Sequence, residues 1–328
     1  MPRSFIDAHV HLNTLSTEKM ETALKNGVKF LSINTDIPFF ESLESQEATI
    51  HKLQERYPDM IRYATSFDTR YWNTQQWLPH ALEQLKRGIS NGAVAVKIWK
   101  NIGMDAAIAD SEGKFVMVDD ARFDPLYQYL CDEGILLIGH QGEPRNCWLP
   151  LEEMTMNSDQ EYFGSHPEYH MYKNADYPSY ECQMMARDRV LEKYPDLKYV
   201  GLHLFSMEWN LKEVAKRLEK FPNTMTDLAE RICHVQFQSM QDRESVREFF
   251  ITYQDRIIYG SDVIDDGSRS PKALSQRFET LWKNHWKYFE TEEEMVAPEF
   301  EGTFKGLGLP SEVVQKIFRE NAKKTYNF

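Results

Sequence analysis

The chain has 328 residues, with 38 Lys and Arg against 51 Asp and Glu, giving a formal net charge of −13. That balance argues against a nucleic-acid footprint and against a polybasic membrane-binding surface. Hydrophobic residues make up 41% of the chain, enough for a large core, yet no apolar run approaches the ~20 residues of a membrane span.

Short apolar segments alternate with longer amphipathic ones along the whole sequence. The pattern predicts strands over Ser4–Val10, Val28–Asn34, Ile61–Phe67, Ala93–Trp99, Ile135–His140, Lys198–His203, Thr224–Leu228 and Arg256–Ser261. Helical patterns lie between them over Thr17–Asn26, Leu43–Tyr57, Gln75–Asn91, Pro125–Glu133, Met184–Tyr194, Glu208–Phe221 and Arg243–Tyr253. Many stop at Gly or at a Tyr-Pro or Phe-Pro pair, which end helices. Eight strands alternating with helices predict parallel βαβ units, whose natural closure is an α/β fold of the (β/α)8 barrel type. No stretch resembles an interdomain linker, so residues 1–328 read as one domain. Two long loops interrupt the pattern, Asn101–Asp119 after the fourth strand and Gln141–Ser179 after the fifth. Both leave the strand ends where barrel enzymes place their chemistry.

The opening Met-Pro-Arg-Ser-Phe-Ile-Asp lacks the apolar stretch of a secretory leader. Cys131, Cys147, Cys182 and Cys233 include no Cys-x-x-Cys pair. The expectation is reduced thiols in a cytoplasmic protein, with any metal held by nitrogen and oxygen ligands.

Ligand-type residues stand at the ends of four strands. His9 and His11 alternate on the first, so strict strand geometry puts both on one face. His140 closes the fifth, His203 closes the sixth, and Asp262 follows the eighth. Each alone could be a hydrogen-bonded strand-end residue. Together they supply four imidazoles and one carboxylate, a ligand set suited to Zn²⁺ or a similar divalent ion with an open position.

This order of residues resembles the amidohydrolase superfamily, and more closely its amidohydrolase 2 branch of small-molecule hydrolases, lactonases and nonoxidative decarboxylases. The supporting phrases are Ile6-Asp7-Ala8-His9-Val10-His11, Val96-Lys97-Ile98, Gly201-Leu202-His203-Leu204, Ile258-Tyr259-Gly260-Ser261-Asp262 and Ile317-Phe318-Arg319-Glu320-Asn321-Ala322. The resemblance implies that His9, His11, His140 and Asp262 bind the metal. It places His203 beside the reacting water or the substrate oxygen, and it makes Asp262 the proton acceptor. A protonated His203 would help the metal stabilise a developing oxyanion. The expected activity is metal-dependent hydrolysis of a small lactone, amide or ester. The alternative is nonoxidative decarboxylation of a small carboxylic acid on the same ligands.

In binuclear relatives a lysine at the end of strand four is carboxylated and bridges two ions. Here the expectation is one ion, zinc, with Lys97 as a substrate-side or structural cation; a carboxylated Lys97 would imply two. Glu143 and Arg145, just past His140, are placed either to touch substrate or to be solvated loop charges. Asp227 and Arg231 read as a structural ion pair, with binding of a substrate carboxylate as the other option. Tyr162, Tyr169, Tyr172, Tyr177 and Tyr180 suit a pocket wall or the packing of the insertion. His166 and His170 are spaced for a second metal, but Pro167 argues against the helix this would need. The partner expected is a small molecule, with no nucleic acid or membrane; a homo-oligomer is compatible with the sequence.

Overall fold

The computed structural model describes residues 4–328. Its main sheet has nine strands: β1 (Phe5–Leu12), β2 (Val28–Ile33), β3 (Ile61–Ser66), β4 (Ala95–Ile98), β5 (Leu137–Gly139), β6 (Tyr199–Gly201), β7 (Thr224–Asp227), β8 (Ile257–Ile258) and β9 (Val263–Asp265). They are ordered β8-β7-β6-β5-β4-β3-β2-β1-β9, and each neighbouring pair is parallel. Helices fall between consecutive strands from β1 to β8, so the chain is α/β with a curled parallel sheet.

The predicted eighth strand, Arg256–Ser261, is replaced by two short ones. β8 pairs with β7, and β9 pairs with the far end of β1. Between them the Ala8 N–H donates to the Tyr259 carbonyl at 3.1 Å, and the Asp262 N–H donates to the His9 carbonyl at 2.8 Å. The curl therefore brings the two ends of the sheet together at residues 259–262.

The side chains divide into two apolar layers. Ile6, Ala8, Leu31, Ile33, Ala64, Ala95, Ile138, Val200 and Ile258 pack together on the concave side. Phe5, Val10, Leu12, Phe30, Tyr63, Val96, Leu137 and Tyr199 face the helices. Every strand should hold this alternation, but β1 breaks it. Its register against β2 runs Asp7 to Phe30 and then Val10 to Ser32, so one extra residue sits in β1. That bulge shifts the phase: Ile6 and Ala8 point inward before it, while Val10 and Leu12 point outward after it. Strict alternation would put His9 and His11 on the face of Phe5. The bulge re-aims them, a common use of bulges beside functional sites.

The helix Pro271–Glu290 was not among the predicted elements, although Ser270 caps it by accepting from Ala273 N–H at 3.3 Å and Pro271 opens it. Its Trp282 donates from the indole N–H to Asp7 Oδ2 at 2.8 Å, while Asp7 Oδ1 accepts from Ser261 N–H at 2.8 Å. Asp7 thus ties β1 to the outer helix and to the break in the eighth strand. The Arg243–Tyr253 prediction captured only the second half of Ile232–Thr252, which is interrupted at Asp242. The insertion after β5 folds on a small core of its own, Cys147, Met154, Phe163 and Met171, and contains the helix Asn157–Ser165. At the opposite end of the sheet, Asn321 donates to the Ile257 carbonyl at 2.7 Å, and Ala322 and Tyr326 join the concave layer. Among the described residues no helix is long and apolar enough to cross a membrane.

Lys19 is the anchor of the loop after β1. It is fully buried, pairs with Asp265 Oδ2 at 2.6 Å, and donates to the Thr14 and Ser16 carbonyls at 2.8 and 3.0 Å. Lys19→Met removes the only counter-charge of a buried carboxylate within this contact. We expect a loss of about 3–5 kcal/mol in urea-monitored unfolding; a loss below ~1 kcal/mol would contradict this role.

Candidate metal centre

Three of the four sequence-predicted ligands, His9, His11 and Asp262, meet at one end of the sheet, and the fourth, His140, lies beside His203 without joining their group. His9 Nε2 lies 3.2 Å and His11 Nε2 3.3 Å from Asp262 Oδ1, and His203 Nε2 lies 4.0 Å from Asp262 Oδ2. The His140 ring is centred 4.2 Å from that of His203. All four imidazoles are buried.

The outer nitrogen of three of these rings is already committed. His9 Nδ1 contacts Asp227 Oδ2 at 2.6 Å, His11 Nδ1 contacts the Ile33 carbonyl at 2.7 Å, and His203 Nδ1 contacts the Ala229 carbonyl at 2.9 Å. Carbonyls and carboxylates only accept, so each Nδ1 carries the proton and each Nε2 presents a lone pair. Burial lowers the pKa of His11 and pushes His140 and His203 well below the ordinary imidazole range. A second proton on these rings is therefore disfavoured, and His203 is neutral rather than protonated as the sequence reading had it. Burial raises the Asp262 carboxyl, and positive charge among the surrounding imidazoles, His9 foremost, is what lowers it by more. Lone pairs facing an anion repel. His140 Nε2 adds a buried polar atom with no hydrogen-bond partner. A divalent cation among these atoms would resolve both problems, and the nitrogen and oxygen donor set fits one.

Two groups of potential ligand atoms lie within 4.8 Å of one another: His9, His11 and Asp262, and His9, His203 and Asp227. The second is held by hydrogen bonds instead. Asp227 Oδ2 takes the His9 proton, and Oδ1 accepts the His203 backbone N–H at 2.5 Å. The expected Asp227–Arg231 ion pair is absent, because both Asp227 oxygens serve the histidines, and Arg231 pairs with Glu230 at 3.1 Å. Sequence reasoning missed this role of Asp227. Its position at the end of β7, level with the other strand-end ligands, was the available signal.

Local backbone geometry aims the groups. Asp262 has φ 60°, which breaks the strand and turns its carboxylate inward. His203, Leu204, Phe205 and Ser206 form a left-handed turn with φ between 53° and 58°. Such conformations cost ~1–2 kcal/mol per residue. The turn is held from outside: Tyr180 Oη donates to the Ser206 carbonyl at 2.6 Å, and the buried Arg187 guanidinium donates to the Phe205 carbonyl. Gly201 makes room for it, since a Cβ there would lie 2.2 Å from the Phe205 ring.

Around this centre, Lys97 is buried, has no carboxylate within 4.0 Å among the described residues, and is pushed down to about 8 by burial. The Phe40 ring packs 5.3 Å from His11. Glu143 pairs with Lys100, and the Arg145 guanidinium lies 4.2 Å over the Trp209 ring. Of the tyrosines, Tyr162, Tyr169 and Tyr172 are exposed and Tyr180 is buried under the left-handed turn. His166 contacts the Tyr162 carbonyl and His170 the Leu149 carbonyl, and the pair forms no metal cluster.

The amidohydrolase family model Amidohydro_2 matches residues 6–328. The chain belongs to the amidohydrolase family. No curated protein matches it. Among solved structures it is similar to an uncharacterised TIM-barrel protein of Bordetella bronchiseptica, at 16% identity, TM-score 0.52, and 98% coverage of both chains. It is also similar to a dihydroxybenzoic acid decarboxylase from Polaromonas sp. JS666 with bound manganese, at 10% identity and TM-score 0.54, covering 99% of this chain and 97% of that one. A 4-oxalomesaconate hydratase from Rhodopseudomonas palustris matches at 13% identity and TM-score 0.50, covering 98% and 95%. At these identities the likeness concerns the fold, and the similar structures carry reactions of more than one class.

Asp227 fixes the tautomer of one proposed ligand and the backbone of its neighbour. We expect Asp227→Asn to weaken divalent-metal binding by about 10- to 100-fold, measured by competition with a chelating dye. An unchanged affinity would contradict this role.

Proposed function

We propose that this amidohydrolase is a metal-dependent hydrolase of a small lactone, amide or ester, built as one (β/α)8 barrel domain in which β8 and β9 act as a single interrupted eighth strand. The observation that carries the reading is the convergence of lone-pair-bearing, buried imidazoles on the Asp262 carboxylate. His9, His11, His140 and Asp262 hold one divalent ion; zinc suits a set of imidazoles and one carboxylate without thiolate. When bound, the ion supplies Lewis acidity, polarising a carbonyl and making hydroxide accessible near neutral pH.

The chain's own groups do the rest. Asp262, ionised and facing the open side of the site, accepts the proton of the attacking water at Oδ2 and returns it to the leaving group. His203, neutral and fixed by Ala229, offers a hydrogen-bonding nitrogen at the reacting oxygen and orients it. Phe40, packed against the His11 ring, gives that side of the site an apolar wall. Lys97 places a cation on the substrate side. That buried, carboxylate-free cation also favours a second reading, nonoxidative decarboxylation, because it could hold the carboxylate that departs as carbon dioxide.

The test is a screen of lactones, amides, esters and aromatic acids against protein loaded with zinc or manganese, with products formed in isotopically labelled water. Hydrolysis incorporates one solvent oxygen into the product; decarboxylation releases carbon dioxide, puts a solvent proton in its place and incorporates no solvent oxygen into the product. We expect about one equivalent of metal per chain. Asp262→Asn should lower kcat by about 10²- to 10⁴-fold, as loss of a general base does, without changing the circular dichroism spectrum. Near wild-type turnover in this variant, or a wild-type chain that binds no metal, would contradict the proposal.

A further inference from the structure

His203 opens a left-handed turn, and the residues that follow it are clasped by the insertion after β5. Four consecutive residues, His203 to Ser206, have positive φ, a shape that L-residues do not hold unaided. Two backbone bonds close the turn, from Ser206 N–H to the His203 carbonyl at 3.0 Å and from Met207 N–H to the Leu204 carbonyl at 2.9 Å. Arg187, on the helix Tyr180–Lys193, holds the Phe205 carbonyl independently of the insertion.

The remaining grip comes from both roots of the insertion. At its start, the Gly142 carbonyl accepts from Ser206 Oγ at 3.3 Å, and the Arg145 guanidinium lies 4.2 Å over the Trp209 ring. At its end stands Tyr180, buried at the first position of its helix. The Tyr180 hydroxyl donates to the Ser206 carbonyl at 2.6 Å and accepts the Trp209 indole N–H at 2.8 Å. Those directions are fixed, because a carbonyl only accepts and an indole only donates. The two roots are also tied to each other. Trp148 packs edge-on against Tyr180 with ring centroids 5.5 Å apart, and its indole donates to the Pro178 carbonyl at 3.3 Å.

We infer that Tyr180 is a positioning residue, through which the seating of the insertion sets where His203 presents Nε2. This rests on the role given to His203 in the proposed function. His203 Nδ1 is bonded to the Ala229 carbonyl at 2.9 Å, and that bond depends on the turn keeping its shape. An insertion that lifts releases Ser206 and Trp209 together, so His203 is in register only when the insertion is seated. A misplacement of about 1 Å at a reacting group costs about 10²-fold in rate.

The test reads His203 directly, by nitrogen–proton correlation NMR of the full-length, zinc-loaded protein carrying isotopically labelled histidine. The His203 Nδ1–H signal is identified by its loss in His203→Asn, and its exchange with water is measured. Tyr180→Phe keeps the ring and removes both bonds of the hydroxyl. We expect it to speed this exchange at least about tenfold, with the His9 and His11 signals and the metal content unchanged. Trp209→Phe removes the indole N–H alone and should give a smaller increase; it decides the matter if Tyr180→Phe does not fold. Arg145→Ala, which loosens the insertion's hold on Trp209, should move exchange in the same direction. Unchanged His203 exchange in the deciding variant overturns the assignment, and so does equal acceleration at His9, His11 and His203, the mark of a merely structural loss. Unchanged exchange in Arg145→Ala overturns the link to the insertion. A chain that binds no metal overturns the proposed function and is recognised by its metal content, while the dependence of His203 on Tyr180 is still read from the same signal.

Discussion

The governing constraint is electrostatic: His9, His11 and His203 turn their unprotonated Nε2 atoms toward one carboxylate, Asp262. Acceptors on the outer side of each ring enforce this, and for His11 and His203 burial disfavours a second proton. A cation in its midst would relieve that repulsion. The departures from regular geometry near the site all serve to build it. The bulge in β1 rotates two histidines to the concave face. The break before β9 puts Asp262 in a left-handed conformation. The turn at 203–206 lifts His203 off the end of β6.

These distortions cost free energy, and the structure offsets them with rigid packing. Arg187 and Tyr180 grip the carbonyls of the left-handed turn. Asp7 collects Trp282 and Ser261, fixing the two segments that flank the bulge and the break. Burial raises the Asp7 carboxyl to about 6, so its ionised form is held against a desolvation cost. The sign follows: any stability this raised pKa contributes is present at acid pH and lost as pH rises through about 6. Strain concentrated at a site and held by its surroundings is what preorganised chemistry requires.

Much of this was legible before any coordinates. The alternation of elements gave the parallel α/β architecture, and the strand-end residues His9, His11, His203 and Asp262 are ones that the sheet brings close together. What escaped reading has physical causes. A bulge leaves no trace in hydrophobic alternation, since Ala8 and His9 read equally well on either face. Asp227 looked like a partner for Arg231 because sequence proximity favours local pairs, whereas the sheet brings His9, 218 positions away, to 2.6 Å. The helix Pro271–Glu290 was announced by Ser270 and Pro271 but lay beyond the last expected strand. Arg145 was read as a substrate contact or a solvated charge because it follows His140 directly; its packing over Trp209, distant in sequence, could not be read from that position.

The central claim is that one cation completes the imidazole and carboxylate cluster. The most direct measurement is anomalous diffraction at the zinc edge from crystals of the zinc-loaded protein. A single strong peak within bonding distance of His9, His11, His140 and Asp262, with Asp227 still hydrogen-bonded to His9, is the predicted result. A peak elsewhere, or none at this cluster, would contradict the account.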